Sequence, residues 1–296
     1  MASVKKGALY GEQKRLMERK KRVAVLVIHG IGGPRADFAA PLIRGVNREV
    51  KRLGADASAI AWQPVYWDAL LVPRQQVYLK RALQDGRLNY QRLRQFVVSA
   101  LGDAGAYRQR PSGTLAGTQS GRTYERVHAR IQEQLSGLYH GPLSERPLPL
   151  VLMAHSFGGH ILSNYVWDSQ QTPDGKLSAF ERMHWLAGFI TFGCNIPLFT
   201  FAVDKPVPIR FPATRLPARF KEKARWLNFY DPDDVLGWPL KPVSPAYARA
   251  VDADIRLQVG AAVSGWTPAA HLLYWRDRRF ARHVAEFLTT FASRSG

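Results

Sequence analysis

The stretch Leu148-Pro149-Leu150-Val151-Leu152-Met153-Ala154-His155-Ser156-Phe157-Gly158-Gly159-His160 constrains this chain more than any other. Its first half is an unbroken apolar run, the pattern of a parallel strand buried on both faces. Its second half breaks into small residues around a serine. Ile161, Leu162, Tyr165 and Val166 then recur at helical spacing. A strand that turns at once into a helix leaves the serine at the tip of a sharp bend. Ala154 and Gly158, two residues to either side of Ser156, leave room for strand and helix backbones to approach. Gly159 lets the helix lie tight on the sheet. The helix N-terminus aims its free N–H groups and the positive end of its dipole at the serine.

A serine on such a bend is the nucleophile-elbow pattern, usually Gly-x-Ser-x-Gly, with Ala154 here at the first glycine. A second apolar run, Val23-Ala24-Val25-Leu26-Val27-Ile28, leads into His29-Gly30-Ile31-Gly32-Gly33-Pro34. This is not a P-loop, because Gly-Lys-Ser/Thr is absent. It is not a dinucleotide fingerprint, because Arg35 stands where the third glycine belongs. The remaining reading is a glycine loop that turns the Ile31 amide toward a cleft, as in the oxyanion-hole loops of serine hydrolases, with His29 anchoring the loop. The amide of Phe157 would be the second donor.

The rest of the chain alternates strands and helices. Phe38, Leu42, Val46, Val50 and Leu53 repeat at helical spacing, and a strand follows over residues 60–67. Val127, Ile131, Leu135 and Leu138 make the helix before the serine strand. Further strands are expected over 185–192, 225–230 and 255–259, with a terminal amphipathic helix on Phe280, Val284, Phe287, Leu288 and Phe291. Residues 195–224 are proline-rich and read as irregular. This order specifies an α/β protein with a mostly parallel central sheet flanked by helices. Residues 68–122 stand apart as a basic helical insertion, ending in a loop over 111–121, and are expected to cap the catalytic edge. The organisation is therefore a basic tail over residues 1–22 and one domain over 23–296.

Hydrophobic residues make up 46% and charged residues 22% of the 296, which excludes a disordered chain. The single cysteine, Cys194, excludes an intramolecular disulfide and has no elbow around it. No apolar run is long enough to span a bilayer, and the first 22 residues lack the apolar core of a secretory signal, so a cytoplasmic protein is expected. The net charge of +19 raises the question of an anionic partner. Nucleic acid is disfavoured, because no nucleic-acid motif is present and the basic residues are divided between tail and insertion. An anionic membrane surface, held by the tail, is compatible with any activity.

Together, His29-Gly30-Ile31-Gly32, Ala154-His155-Ser156-Phe157-Gly158, the Asp231-to-Asp234 turn and His271 resemble the α/β-hydrolase superfamily, specifically its serine esterase and lipase-like members. The resemblance spans the chain from about Val23 to its end. It implies an α/β-hydrolase fold and a chain order of nucleophile, acid, base. Only His271 and His283 follow the acidic cluster, and His271, placed in a loop after a strand, is the base that order implies. Asp234-Val235-Leu236-Gly237 resembles the Asp-x-Val pattern of lipase-like acids, which favours Asp234; Asp233-Asp234-Val235 fits as well and keeps Asp233 open. The resemblance further implies that Ser156 attacks an acyl carbonyl, that the Ile31 and Phe157 amides hold the oxyanion, and that no metal or organic cofactor is needed. The expected substrate is a small-molecule carboxylic ester with an apolar acyl group; Trp62, Trp67, Phe157, Trp238 and Trp266 are candidates either for lining its site or for the core. The rival expectation is a non-catalytic protein of the same fold that binds nucleic acid or acidic lipid through the tail and insertion.

Overall fold

A computed structural model describes residues 21–31, 35–67, 81, 107, 119–173, 175, 177–201, 203–259 and 268–293. Six strands, β1 (Val23–Ile28), β2 (Ile60–Val65), β3 (Leu150–His155), β4 (Leu186–Phe192), β5 (Arg225–Tyr230) and β6 (Ala253–Arg256), form one sheet. All neighbours are parallel, in the order β2-β1-β3-β4-β5-β6. Every residue of β1, β3 and β4 is buried. These three central strands are covered on both faces, and their sequences are accordingly close to unbroken apolar runs rather than alternating ones. Pro64 lies in β2, an edge strand, where a missing N–H removes no ladder bond.

Among the described residues eight α-helices connect and cover the strands: α1 (Ala40–Arg52), α2 (Gln119–His140), α3 (Phe157–Gln171), α4 (Ile196–Thr200), α5 (Ala218–Lys221), α6 (Pro245–Ala250), α7 (Pro268–Leu273) and α8 (Arg278–Ala292). The β1-to-β2 and β3-to-β4 connections step in opposite directions across the sheet. Right-handed crossovers then place α1 and α3 on opposite faces. α8 joins α1, with Gly45 close to Ala281. The buried Glu49 binds Arg52 of its own helix at 2.6 Å and Arg278 across that contact at 3.2 Å. α2 joins α3, where the Tyr165 hydroxyl donates to Gln132 Oε1 at 2.5 Å and the Tyr124 hydroxyl to Asp168 at 2.7 Å.

The observed elements depart from expectation at the irregular margins. β6 starts at Ala253 and ends at Arg256 rather than running over 255–259. The Val259 amide is taken by the Asp231 carboxylate at 2.6 Å, so the chain leaves the ladder there. Residues 195–224 are not wholly irregular, since α4 and α5 interrupt the proline-rich path. Prolines early in or just before these helices explain both outcomes, because proline starts a helix more readily than it continues one. Nearly all of the insertion over 68–122, and the tail over 1–20, lie outside the described residues. Among the described residues no helix is long and apolar enough to cross a membrane.

Sheet and helix layers meet most tightly at Gly188 of β4. A Cβ there would lie 2.6 Å from the Phe287 ring of α8 and 2.9 Å from Val151 of β3. Gly188→Val is expected to cost about 1–3 kcal/mol by overpacking. Urea denaturation reads this as a lower midpoint, and an unchanged midpoint would contradict the packing.

Candidate active site

The connections that leave β1 and β3 step in opposite directions across the sheet, so the switch point of the topology lies between the carboxyl ends of these two neighbouring strands. His29, Gly30 and Ile31 follow β1 at this edge, and Ser156 follows β3. Ser156 has φ 54° and ψ −128°, a backbone state that costs a non-glycine residue about 1–3 kcal/mol. Two hydrogen bonds of 3.0 Å hold it: its amide donates to the Phe192 carbonyl, and its carbonyl accepts from the Gly159 amide. Neighbouring backbones crowd the bend. A Cβ on Gly30 would lie 2.6 Å from the Ser156 Cβ, and one on Gly158 would lie 2.7 Å from the His29 carbonyl oxygen. A Cβ on Gly159 would lie 2.6 Å from Cys194 Sγ, so that glycine admits the thiol.

Asp234, four residues past the end of β5, meets His271 of α7. The His271 Nδ1 lies 2.8 Å from Asp234 Oδ2 and 3.0 Å from Oδ1, and both residues are buried. Nδ1 is thereby the protonated nitrogen facing the carboxylate, and Nε2 is left for another partner. The Leu236 amide donates to Asp234 Oδ1 at 3.0 Å and fixes the carboxylate in its turn. Gly193 and Gly237 make room for the pair: a Cβ on Gly237 would lie 2.6 Å from Asp234 Oδ2, and one on Gly193 would lie 3.1 Å from both Asp234 Oδ2 and the His271 ring. Gly193 also has φ +53°, which favours glycine. His271 lies in a short helix rather than in the loop expected for it. Pro268 and the small Ala269 and Ala270 suit the first turn of a helix, so the helix begins just before the histidine.

The other aspartates have different tasks. Asp233 is exposed, and its amide donates to Asp231 Oδ1 at 2.9 Å. Asp231 is buried and closes the turn, with its second oxygen on the Val259 amide. Its own amide donates to the Tyr274 hydroxyl at 2.7 Å. Burial, and then the Asp234 charge, push the Tyr274 hydroxyl far above the usual tyrosine range, so it stays protonated beside Asp234.

Ser156 is buried, and its Oγ has no hydrogen-bond partner among the described residues. Phe157 is the first residue of α3, where amides have no intrahelical acceptor. Ile31 follows Gly30, half-buried against the core. His29 holds this loop: its Nδ1 lies 2.6 Å from the Gly30 carbonyl, its Nε2 accepts the Trp67 amide at 3.2 Å, and the Trp67 indole donates to its carbonyl at 3.0 Å. The single thiol is no competitor to the serine, since burial pushes Cys194 up to about 12. Among the described residues no group of three or more His, Cys, Asp or Glu side chains is placed to hold a metal ion. Of the aromatic candidates, Trp67 and Phe157 are core, Trp62 is half-buried and bonded to Asn47, and Trp238 is exposed. Trp266 lies outside the described residues. Sequence reasoning missed Gly193, Gly237 and Tyr274; only Gly193, standing directly after an apolar strand, carried a local signal.

His29 and His155 are buried beside the bend, and His160, half-buried, lies in the first turn of α3. Burial lowers His29 and His160 to about 4 and holds His155 well below its ordinary value. A histidine that is neutral when folded takes up a proton on unfolding between its folded value near 4 and its unfolded value of 6.5. Their contribution to stability is therefore complete above pH 6.5 and is lost as the pH falls toward 4. His160→Phe, which keeps an aromatic ring against Phe199, is expected to flatten the rise of the urea midpoint with pH across this window. An identical slope in wild type and variant would contradict a neutral His160.

No protein-family model matches this chain, and no curated protein matches its sequence.

Proposed function

We propose that the chain is a serine hydrolase of the α/β-hydrolase fold that cleaves a carboxylic ester through an acyl-enzyme. One observation carries the reading: a serine in a strained positive-φ turn stands at the switch point of the sheet, and the same edge carries a buried, hydrogen-bonded aspartate–histidine pair. Ser156, Asp234 and His271 come from three separate segments, so their presence on one edge is not a local accident of chain direction.

In this mechanism the Ser156 Oγ attacks the acyl carbon, and its proton passes to His271 Nε2. Asp234 holds the Nδ1–H tautomer and stabilises the imidazolium that forms. The amides of Ile31 and Phe157 hold the oxyanion; loss of one such donor typically costs about 3 kcal/mol. Collapse of the tetrahedral intermediate breaks the bond to the alcohol oxygen, which leaves with the proton from His271. A water then attacks the ester on Ser156, giving its proton to His271; the bond to Ser156 Oγ breaks, Oγ takes that proton back from His271, and the acid is released. Ser156 and His271 are not yet hydrogen-bonded, and such bonds often tighten only when substrate is present. An apolar groove of about 400 Å3 lies beyond the acid turn, lined by Pro197, Phe201, Val203, Trp238, Pro242 and Val243. The rival reading, a non-catalytic protein of this fold on an anionic partner, requires no reactive serine.

A fluorophosphonate reagent separates the two. The expected result is one label per chain, on Ser156, and none in His271→Ala. Asp234→Asn is expected to lower aryl-ester kcat by about ten-thousandfold through the wrong tautomer, with Asp233→Asn unchanged. Folded wild type that takes no label, or equal losses in the two aspartate variants, would overturn the assignment.

A further inference from the structure

His155 is the last residue of β3 and the immediate neighbour of Ser156. Its Nε2 lies 2.7 Å from the backbone carbonyl oxygen of His271, 116 residues away in sequence. A carbonyl only accepts, so Nε2 carries the proton and donates it. The imidazole is fully enclosed. Its centroid stands 4.5 Å from the His271 ring, 5.2 Å from Phe192, 5.3 Å from Trp275 and 6.2 Å from Tyr274. No step of the mechanism above uses it.

The bond matters because of how His271 is otherwise held. Asp234 grips the ring at Nδ1 alone. A ring fixed at one nitrogen can still pivot about that bond and swing Nε2 away from the serine. Fixing the carbonyl of the same residue sets where the side chain starts, and the pivot is then limited from both ends. The anchor for that second point is the strand that carries the nucleophile.

We propose that His155 is a positioning residue for the base: through Nε2–H it ties the His271 backbone to β3, so the element that presents Ser156 also sets the place of the His271 ring. The assignment rests on the reading of Ser156, Asp234 and His271 as a catalytic triad. It also explains the residue type. The position needs a donor that reaches past Cβ and carries no charge. A cation there would stand against the imidazolium formed on His271 during each proton transfer. Glutamine meets both needs, because its amide N–H reaches about as far as imidazole Nε2. Asparagine is neutral but reaches only as far as Nδ1.

The experiment compares wild type with His155→Leu, His155→Gln and His155→Asn in the full chain, each first tested for a cooperative urea transition. The readouts are the rate of fluorophosphonate labelling at Ser156, and kcat and KM on an aryl ester. His155→Leu and His155→Asn are expected to lower the labelling rate and kcat by about tenfold to hundredfold, the scale of a small misplacement of a reacting group, with KM unchanged. His155→Gln is expected to recover most of the loss. If the leucine variant does not fold, the contrast between glutamine and asparagine decides. Wild-type rates in folded His155→Leu or His155→Asn, or a folded glutamine variant as slow as asparagine, would overturn the assignment alone. A wild-type serine that takes no label would overturn the triad reading and this assignment with it.

Discussion

At the switch point of the sheet, two backbones approach so closely that only hydrogen fits between them. Gly30 lies against Ser156, and Gly158 lies against the carbonyl of His29. This double approach couples the loop after β1 to the bend after β3. It holds Ser156 in a backbone state that a serine avoids elsewhere, because the bend cannot relax without lifting α3 off the sheet. The strain is offset by ordinary means: buried β1 and β3 pair in register, and the Ser156 amide continues the ladder to β4.

Around that point, buried polar groups are arranged in linked pairs. Asp234 meets His271, Asp231 meets the Val259 amide, His29 meets Trp67, and His155 meets the His271 carbonyl. A buried polar group left without a partner costs about 1–3 kcal/mol, so these pairs limit how far each loop can move. The Oγ of Ser156 stands outside this pairing among the described residues.

Much of this architecture was legible in the sequence because central parallel strands covered on both faces are apolar. Val23–Ile28 is such a run and begins and ends where its residues indicate, as does Arg225–Tyr230, although Arg225 and Asn228 interrupt its apolar residues. The bend at Ser156 and the close glycine loop at Gly30 were also legible, since turn chemistry is local; the Asp234–His271 contact was suggested only by the chain order that the resemblance implies. What stayed hidden depends on contacts across long loops. β6 is shortened by an aspartate 28 residues earlier, and nothing near residue 259 signals it. The choice between Asp233 and Asp234 rests on burial: Asp233 faces solvent and Asp234 faces His271. His155 reads in sequence as the variable position of an elbow motif, and its partner is 116 residues away. Tyr274 hides in the same way, as an aromatic at helical spacing whose hydroxyl serves the acid turn.

The central claim is that the constrained serine is a nucleophile that passes through a covalent acyl intermediate. Rapid mixing with an activated aryl ester tests it directly, with the quenched protein weighed intact and mapped by peptide mass. The account predicts a burst of alcohol release equal to one per chain, with the acyl mass on Ser156, followed by slower steady turnover. A linear release without a burst, from folded protein whose Ser156 carries no acyl group at any time, would contradict it.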